Sequence, residues 1–191
     1  MTKRLFRAAP LLALALAAAL ALPGRADNYV LDDAHTAASF NIAHLGLSWT
    51  HGRFDDVAGT FTIDAADPGK SSFTLTIKAD SVDTNNKKRD EHLRSPDFFN
   101  VKQFPTIRFE STSVKPADGG YQVTGNLTLH GVTKPISFLL KGGKTAELMG
   151  KKRMGFWMDT TLKRSEFGMD KMVGPVGDEV ILTISFEGVK Q

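Results

Sequence analysis

Five histidines, His35, His44, His51, His92 and His130, are the residues of this 191-residue chain best suited to metal or proton chemistry. None stands at metal-ligand spacing from another, and neither His-x-His nor His-Glu-x-x-His occurs. The chain has no cysteine. Thiol nucleophiles, thiolate metal sites and disulfides are therefore absent, and the core must hold by packing. His44 shares one side of an alternating segment with Phe40 and Ile42, so it is expected as a buried, satisfied core histidine. His130 precedes Gly131 in a turn signal. His92 lies beside Asp90 and Glu91 and is the histidine expected to meet a polar ligand group. Arg89 and Asp90 are expected to pair and pin their segment to the rest of the fold. Arg164 and Asp178 are expected in structural ion pairs near a rim. Ser48, Ser95 and Ser165 have no evident base and acid, and no Gly-x-Ser-x-Gly occurs. There is no P-loop and no Gly-x-Gly-x-x-Gly. These residues support no catalytic role, no cofactor and no metal.

The stretch "RDEHLRSPDFFNVKQFP", Arg89 to Pro105, breaks an otherwise alternating chain. Asp90 to Arg94 reads as one or two helical turns, which Ser95-Pro96 ends. Leu93, Phe98 and Phe99 form an apolar patch at helix-like spacing. A short amphipathic helix of this kind either caps an opening or plugs one end of a core.

Period-two alternation predicts eight strands around this insert. Their apolar sides carry Ala38, Phe40, Ile42 and His44; Gly59, Phe61 and Ile63; Phe73, Leu75, Ile77 and Ala79; and Ile107 and Phe109. The next four carry Tyr121, Val123, Leu127 and Leu129; Ile136, Phe138 and Leu140; Phe156, Met158, Thr160 and Leu162; and Val180, Leu182, Ile184 and Phe186. The opposite sides are polar, as in antiparallel sheet with one wet face. Turn residues such as Asp67-Pro68-Gly69, His130-Gly131 and Gly142-Gly143 connect the strands. A sandwich or a closed barrel satisfies this pattern, and closure removes the exposed edges. Strands of about ten residues reach roughly 33 Å. The inward Phe, Leu and Ile suit a packed core and a ligand cavity equally well.

The first 26 residues read as a secretory signal peptide, cleaved after Ala26. Lys3, Arg4 and Arg7 precede an unbroken Leu/Ala run from Leu11 to Leu22, too short for a comfortable membrane span. This segment holds four of the 24 basic residues and none of the 21 acids. The remaining 165 residues, 27–191, thus carry 20 bases against 21 acids and make one domain. The high overall pI belongs to the removed segment and implies no nucleic-acid partner.

The segments "HTAASFNIAHLGLSWTHGRF", "SVDTNNKKRDEHLRSPDFFN", "FPTIRFES", "VTGNLTLHGVTKPISF", "LKRSEFGM" and "VGDEVILTI" occur in this order. Together they resemble the YceI family of secreted, lipocalin-like proteins that bind polyisoprenoids or other long-chain apolar ligands. The resemblance runs from Tyr29 to about Glu187. The Lys144–Arg153 loop and "DKMV" before Gly174 are less family-like. The resemblance implies an all-β fold: an extended eight-stranded antiparallel barrel with a short helical insert near one end. It also implies that an apolar chain threads the core.

On this reading the protein is a periplasmic carrier for a polyisoprenoid, an isoprenoid quinone or a fatty amide. Expected tail contacts are Phe40, Ile42, Phe61, Leu75, Ile107, Phe109, Leu127, Leu129, Phe138, Phe156, Leu162 and Ile184. Expected mouth contacts are Trp49, His92, Leu93, Phe98 and Phe99. No membrane span is expected after signal cleavage, and a homodimer is allowed. Two alternatives stand beside it: an interaction protein with a solid barrel core, and an enzyme or accessory factor acting on a bound quinone or lipid.

Overall fold

A computed structural model describes residues 26–191; the signal-peptide expectation lies outside them. Eleven strands form one sheet. In chain order they are β1 (Asp27–Leu31), β2 (Ala37–His44), β3 (Ser48–Phe54), β4 (Val57–Ile63), β5 (Ser72–Lys78) and β6 (Val82–Asp83), then helix α1 (Lys87–Arg94), then β7 (Thr106–Ala117), β8 (Gly120–Leu129), β9 (Val132–Leu148), β10 (Lys151–Lys163) and β11 (Val176–Lys190). The order β1-β4-β5-β7-β8-β9-β10-β11 closes on itself through a β1–β11 pairing. This is an eight-stranded antiparallel barrel with one short helix, as expected.

The membership of the ring differs from expectation. The eight alternating segments correspond to β2, β4, β5 and β7–β11, yet β1 stands in the ring and β2 does not close it. Long β11 explains this. Its first half pairs with β2, from Val180↔Ile42 to Ser185↔Ala37. Its last residues pair with β1, from Leu31↔Gly188 to Tyr29↔Lys190. Strand β2 therefore raises the wall above β1, and the β2–β3 hairpin extends it further. Strand β6 adds a two-residue pairing to β3.

Lys144–Arg153, expected as a loop, is mostly strand. Leu148 pairs with Lys151 across a Met149-Gly150 turn in which both residues have positive φ. His130-Gly131 makes the same primed turn between β8 and β9, whose twist matches the flanking strands.

The two ends of the barrel are built differently. At one end Tyr29, Phe61, Phe73, Phe156 and Phe186 are buried and pack together. Tyr29 stacks on Phe61 at 4.7 Å, and Phe156 stands edge-on to Phe61 and Phe73 at 5.4 and 5.5 Å. These contacts are the favoured geometries for aromatic pairs. They form a solid floor. Ion pairs surround it: Asp27 with Lys152 at 3.1 Å and Lys190 at 2.5 Å, and Arg153 with Asp32 and Glu187. The other end carries the β2–β3 hairpin, the His130-Gly131 turn and the segment 79–105 with α1. Among the described residues no helix is long and apolar enough to cross a membrane.

Candidate functional site: an apolar cavity beneath a helical rim

Above the aromatic floor the barrel is not filled. A cavity of about 390 Å³ runs to the α1 end, within the ~300–1,000 Å³ range of small-molecule sites. Phe61, Phe73, Leu140 and Phe186 form its base. Its walls are the inward residues of the strands, because successive side chains point to opposite faces.

Eleven of the twelve expected tail residues line the cavity: Phe40, Ile42, Phe61, Leu75, Ile107, Phe109, Leu127, Leu129, Phe138, Leu162 and Ile184. Phe156 does not. It has the right parity on β10 but lies in the floor, 1 % exposed and ringed by Phe61, Phe73 and Phe186. Four of the five expected mouth residues, His92, Leu93, Phe98 and Phe99, also line the cavity. Trp49 does not. It alternates with Thr50, which faces the cavity, so its ring points outward and is 53 % exposed.

Helix α1 starts at Lys87, earlier than expected, because Asn86 caps it: the Asn86 side chain accepts from the Arg89 N–H at 3.1 Å, a favourable N-cap. The expected Arg89–Asp90 pair is replaced by four bonds, two from each side chain, to one residue, Thr84. Buried Asp90 accepts from the Thr84 N–H at 2.9 Å and the Thr84 hydroxyl at 2.5 Å. Arg89 donates to the Thr84 hydroxyl and carbonyl, both at 2.7 Å. Both side chains therefore tie the helix to Thr84, the residue that follows β6. Arg94 adds bonds to the Asp80 and Val82 carbonyls at 2.7 Å. Phe98 packs edge-on against His92, and Phe99 against Phe54 at 5.5 Å. The insert is thus a fixed rim with its aromatics turned inward.

His44 is exposed, a correction to the expected core position; its strand has reached the open end and it borders the mouth. His92 bonds Asp97 at 2.9 Å, which with Lys171 nearby holds that carboxyl below its ordinary range. Arg164 and Asp178 do not pair with each other. Buried Arg164 donates to the carbonyls of Met169, Lys171, Val176 and Gly177 at 2.6–3.1 Å. Burial pushes its pKa down, against Asp178 and Asp170. Asp178 instead accepts from the Ser165 N–H and hydroxyl, which lower its pKa. Sequence reading missed Phe54, Met169, Met172 and Val176 as lining residues. Phe54 sits on a strand without apolar alternation, and the other three lie on or beside a loop, where no periodicity exists to find them.

The model of the YceI-like domain matches residues 29–188. The chain belongs to the YceI family. An UPF0312 protein of Pseudomonas aeruginosa is 45 % identical to this YceI chain over 186 residues, 95 % of this chain and 97 % of the relative. Burkholderia cenocepacia BcnA shares the fold with a TM-score of 0.73 at 25 % identity, over 82 % of this chain and 98 % of its own. A polyisoprenoid binding domain from Saccharophagus degradans, implicated in plant cell wall breakdown, shares the fold with a TM-score of 0.66 at 18 % identity, over 85 % and 98 %.

Proposed function

We propose that this YceI-family protein is a periplasmic carrier that sequesters a long-chain apolar molecule, a polyisoprenoid, isoprenoid quinone or fatty amide, inside its barrel. One observation carries the reading. The barrel holds a 390 Å³ apolar cavity directly above a floor that packs solidly with the same kinds of residue. A solid-core interaction protein would have filled both halves. The polyisoprenoid binding named for the Saccharophagus domain fits the same use of the fold. The signal-like first 26 residues support export to the periplasm.

Binding needs no chemistry. Each buried CH₂ contributes roughly 0.8 kcal/mol, so ten carbons offer about 8 kcal/mol. That is comparable to the roughly 4–15 kcal/mol that association costs. Tail shape is selected by the walls. Arg89 and His92, the polar side chains that α1 brings to the cavity, meet the polar end of the ligand.

The test is to export the precursor in a Gram-negative host and purify the protein without detergent. Native mass spectrometry, with organic extraction, should find a stoichiometric apolar adduct. A clean apo mass with no uptake of added isoprenoid quinone or fatty amide would overturn the carrier reading. Leu129→Trp should cut uptake at least tenfold while far-UV circular dichroism stays native, because the larger ring fills the cavity. Full occupancy in that variant would show that the ligand lies elsewhere.

A further inference from the structure

The largest exposed apolar group at the mouth lies outside the cavity, on two neighbouring loops. The β2–β3 tip carries Leu45, Leu47 and Trp49, which are 55 %, 83 % and 53 % exposed. The loop before β11 carries Met172 and Val173, at 46 % and 44 %. The two loops are joined: the Leu45 N–H donates to the Pro175 carbonyl at 2.7 Å, and His44 pairs with Val176. Leu45, at φ +54°, and Met172, at φ +58°, are held in the left-handed region, which is uncommon for large side chains. The apolar tip is thus a fixed projection.

Its charge is one-sided. From Ala34 to Phe54 there is no acid, and none from Lys171 to Gly177. Lys171, His44 and His51 flank the tip; α1 across the mouth adds Lys88 and Arg89 against exposed Glu91, and Asp170 lies just before the second loop. The nearby carboxylate of Asp97 is occupied by His92 and Lys171. An apolar projection with an outward Trp, on two loop segments that carry bases and no acid, is the composition of an interfacial membrane anchor. Met172 belongs to both the exposed tip and the cavity lining. The apolar path from tip to cavity is therefore continuous.

We propose that the β2–β3 tip and the 171–175 loop dock the barrel, mouth down, on an anionic lipid bilayer, so that cargo passes between membrane and cavity without crossing water. The docking deepens the carrier reading and rests on it for its purpose. The tip itself would bind lipid whether or not the cavity is filled.

The chain has two tryptophans, and Trp157 lies on the outer face of β10. In a Trp157→Phe background, Trp49 alone reports on the tip. Vesicles of phosphatidylethanolamine and phosphatidylglycerol, free of isoprenoids, should shift its emission to the blue, and brominated lipid should quench it. A Trp49→Phe protein should show neither change. Leu47→Ser with Val173→Ser should weaken vesicle binding at least tenfold, and co-sedimentation of the unaltered exported protein gives the same reading without reporter substitutions. No shift, or a shift indifferent to those serines, would overturn the proposal. So would concentration-dependent dimerisation that the serines abolish in the absence of any vesicle effect, since the tip would then cover a second copy. Ligand co-purifying with each protein is weighed separately. Docking with an empty cavity would sink the carrier reading alone, and a filled cavity without docking would sink this inference alone.

Discussion

The two halves of the barrel use the same residues to opposite ends. In the floor, Phe156 stands nearly perpendicular to Phe61 and Phe73, at 88° and 90°, and so reaches across the lumen. In the cavity half, aromatic rings lie back against the wall. Phe40 rests on Gly52 of the neighbouring strand, where a Cβ would come within 2.2 Å of the ring. Phe109 rests on Gly125 in the same way, at 2.4 Å. Glycine on the adjacent strand gives each ring a place out of the lumen. Phe61 at the floor has the same kind of seat on Gly188, at 2.3 Å. What closes that half is therefore Phe156, which stands edge-on between the seated rings, and among the described residues the cavity half has no ring in that position.

The largest expected effect separates the halves by stability. Phe156→Ala should cost about 3–5 kcal/mol, because it opens a hole in a filled core. Ile42→Ala, on the cavity wall, should cost about 1–2 kcal/mol, since its side chain already borders open space and little new cavity forms. Urea denaturation of both variants decides it. Equal costs would mean that the upper half is packed as tightly as the floor.

Next comes the mouth. The floor closes by aromatic packing, whereas in the loop over the opposite end the guanidinium of Arg164 gathers four carbonyls. Arg164→Leu should cost roughly 2–3 kcal/mol, the scale of charge-assisted bonds lost from a buried site. It should also expose residues 169–176 to limited proteolysis. A variant with native stability and an unchanged digestion pattern would show that the loop is held by something else.

Much of this was legible beforehand. Alternation found eight of the eleven strands, missing β1, β3 and β6, and inward parity put eleven of the twelve expected tail residues on the cavity wall. Its failures have physical causes. Parity gives the face of a strand but not its height, so Phe156 was assigned to the cavity when it lies in the floor. Strand β3, with Trp49, His51 and Arg53 outside and only Phe54 as a large inward residue, offers no apolar period to read. Arg164 looks like half of an ion pair in sequence, because the carbonyls it serves come from a loop whose path only the folded chain defines. The seat that Gly52 gives Phe40 depends on cross-strand register, which sequence periodicity does not contain.

That seat yields a smaller but more selective prediction. Gly52→Ala should push the Phe40 ring off the wall and into the lumen. The strain should cost about 1 kcal/mol, at the low end for overpacking because the ring can swing into open space. Ligand uptake should fall more than stability does, and shorter apolar chains should be retained better than long ones. Competition between acyl chains of two lengths, read by native mass spectrometry, would show it. Unchanged length preference would mean that the ring is not what sets the bore.

The smallest expected effect concerns the ions around the floor, which the mouth lacks in this form. Asp32 is held down to about 2 from its ordinary 3.8, first by the Arg153 guanidinium and then by His35. A carboxyl depressed by folding contributes stability that is present in full above its unfolded value and is lost as pH falls through its folded value. The contribution should therefore disappear between about pH 4 and pH 2. Arg153→Leu removes the main cause, so Asp32 should titrate near its ordinary value and this part of the acid limb should flatten. Urea midpoints at pH 7, 4, 3 and 2 for both proteins measure it. The difference should be largest at pH 7, constant to pH 4, and smaller at each step below. A difference that stays constant to pH 2 would mean that Arg153 supports the floor by packing its stem against the wall and that its charge contributes nothing, which would leave aromatic contact as the whole reason this end is closed.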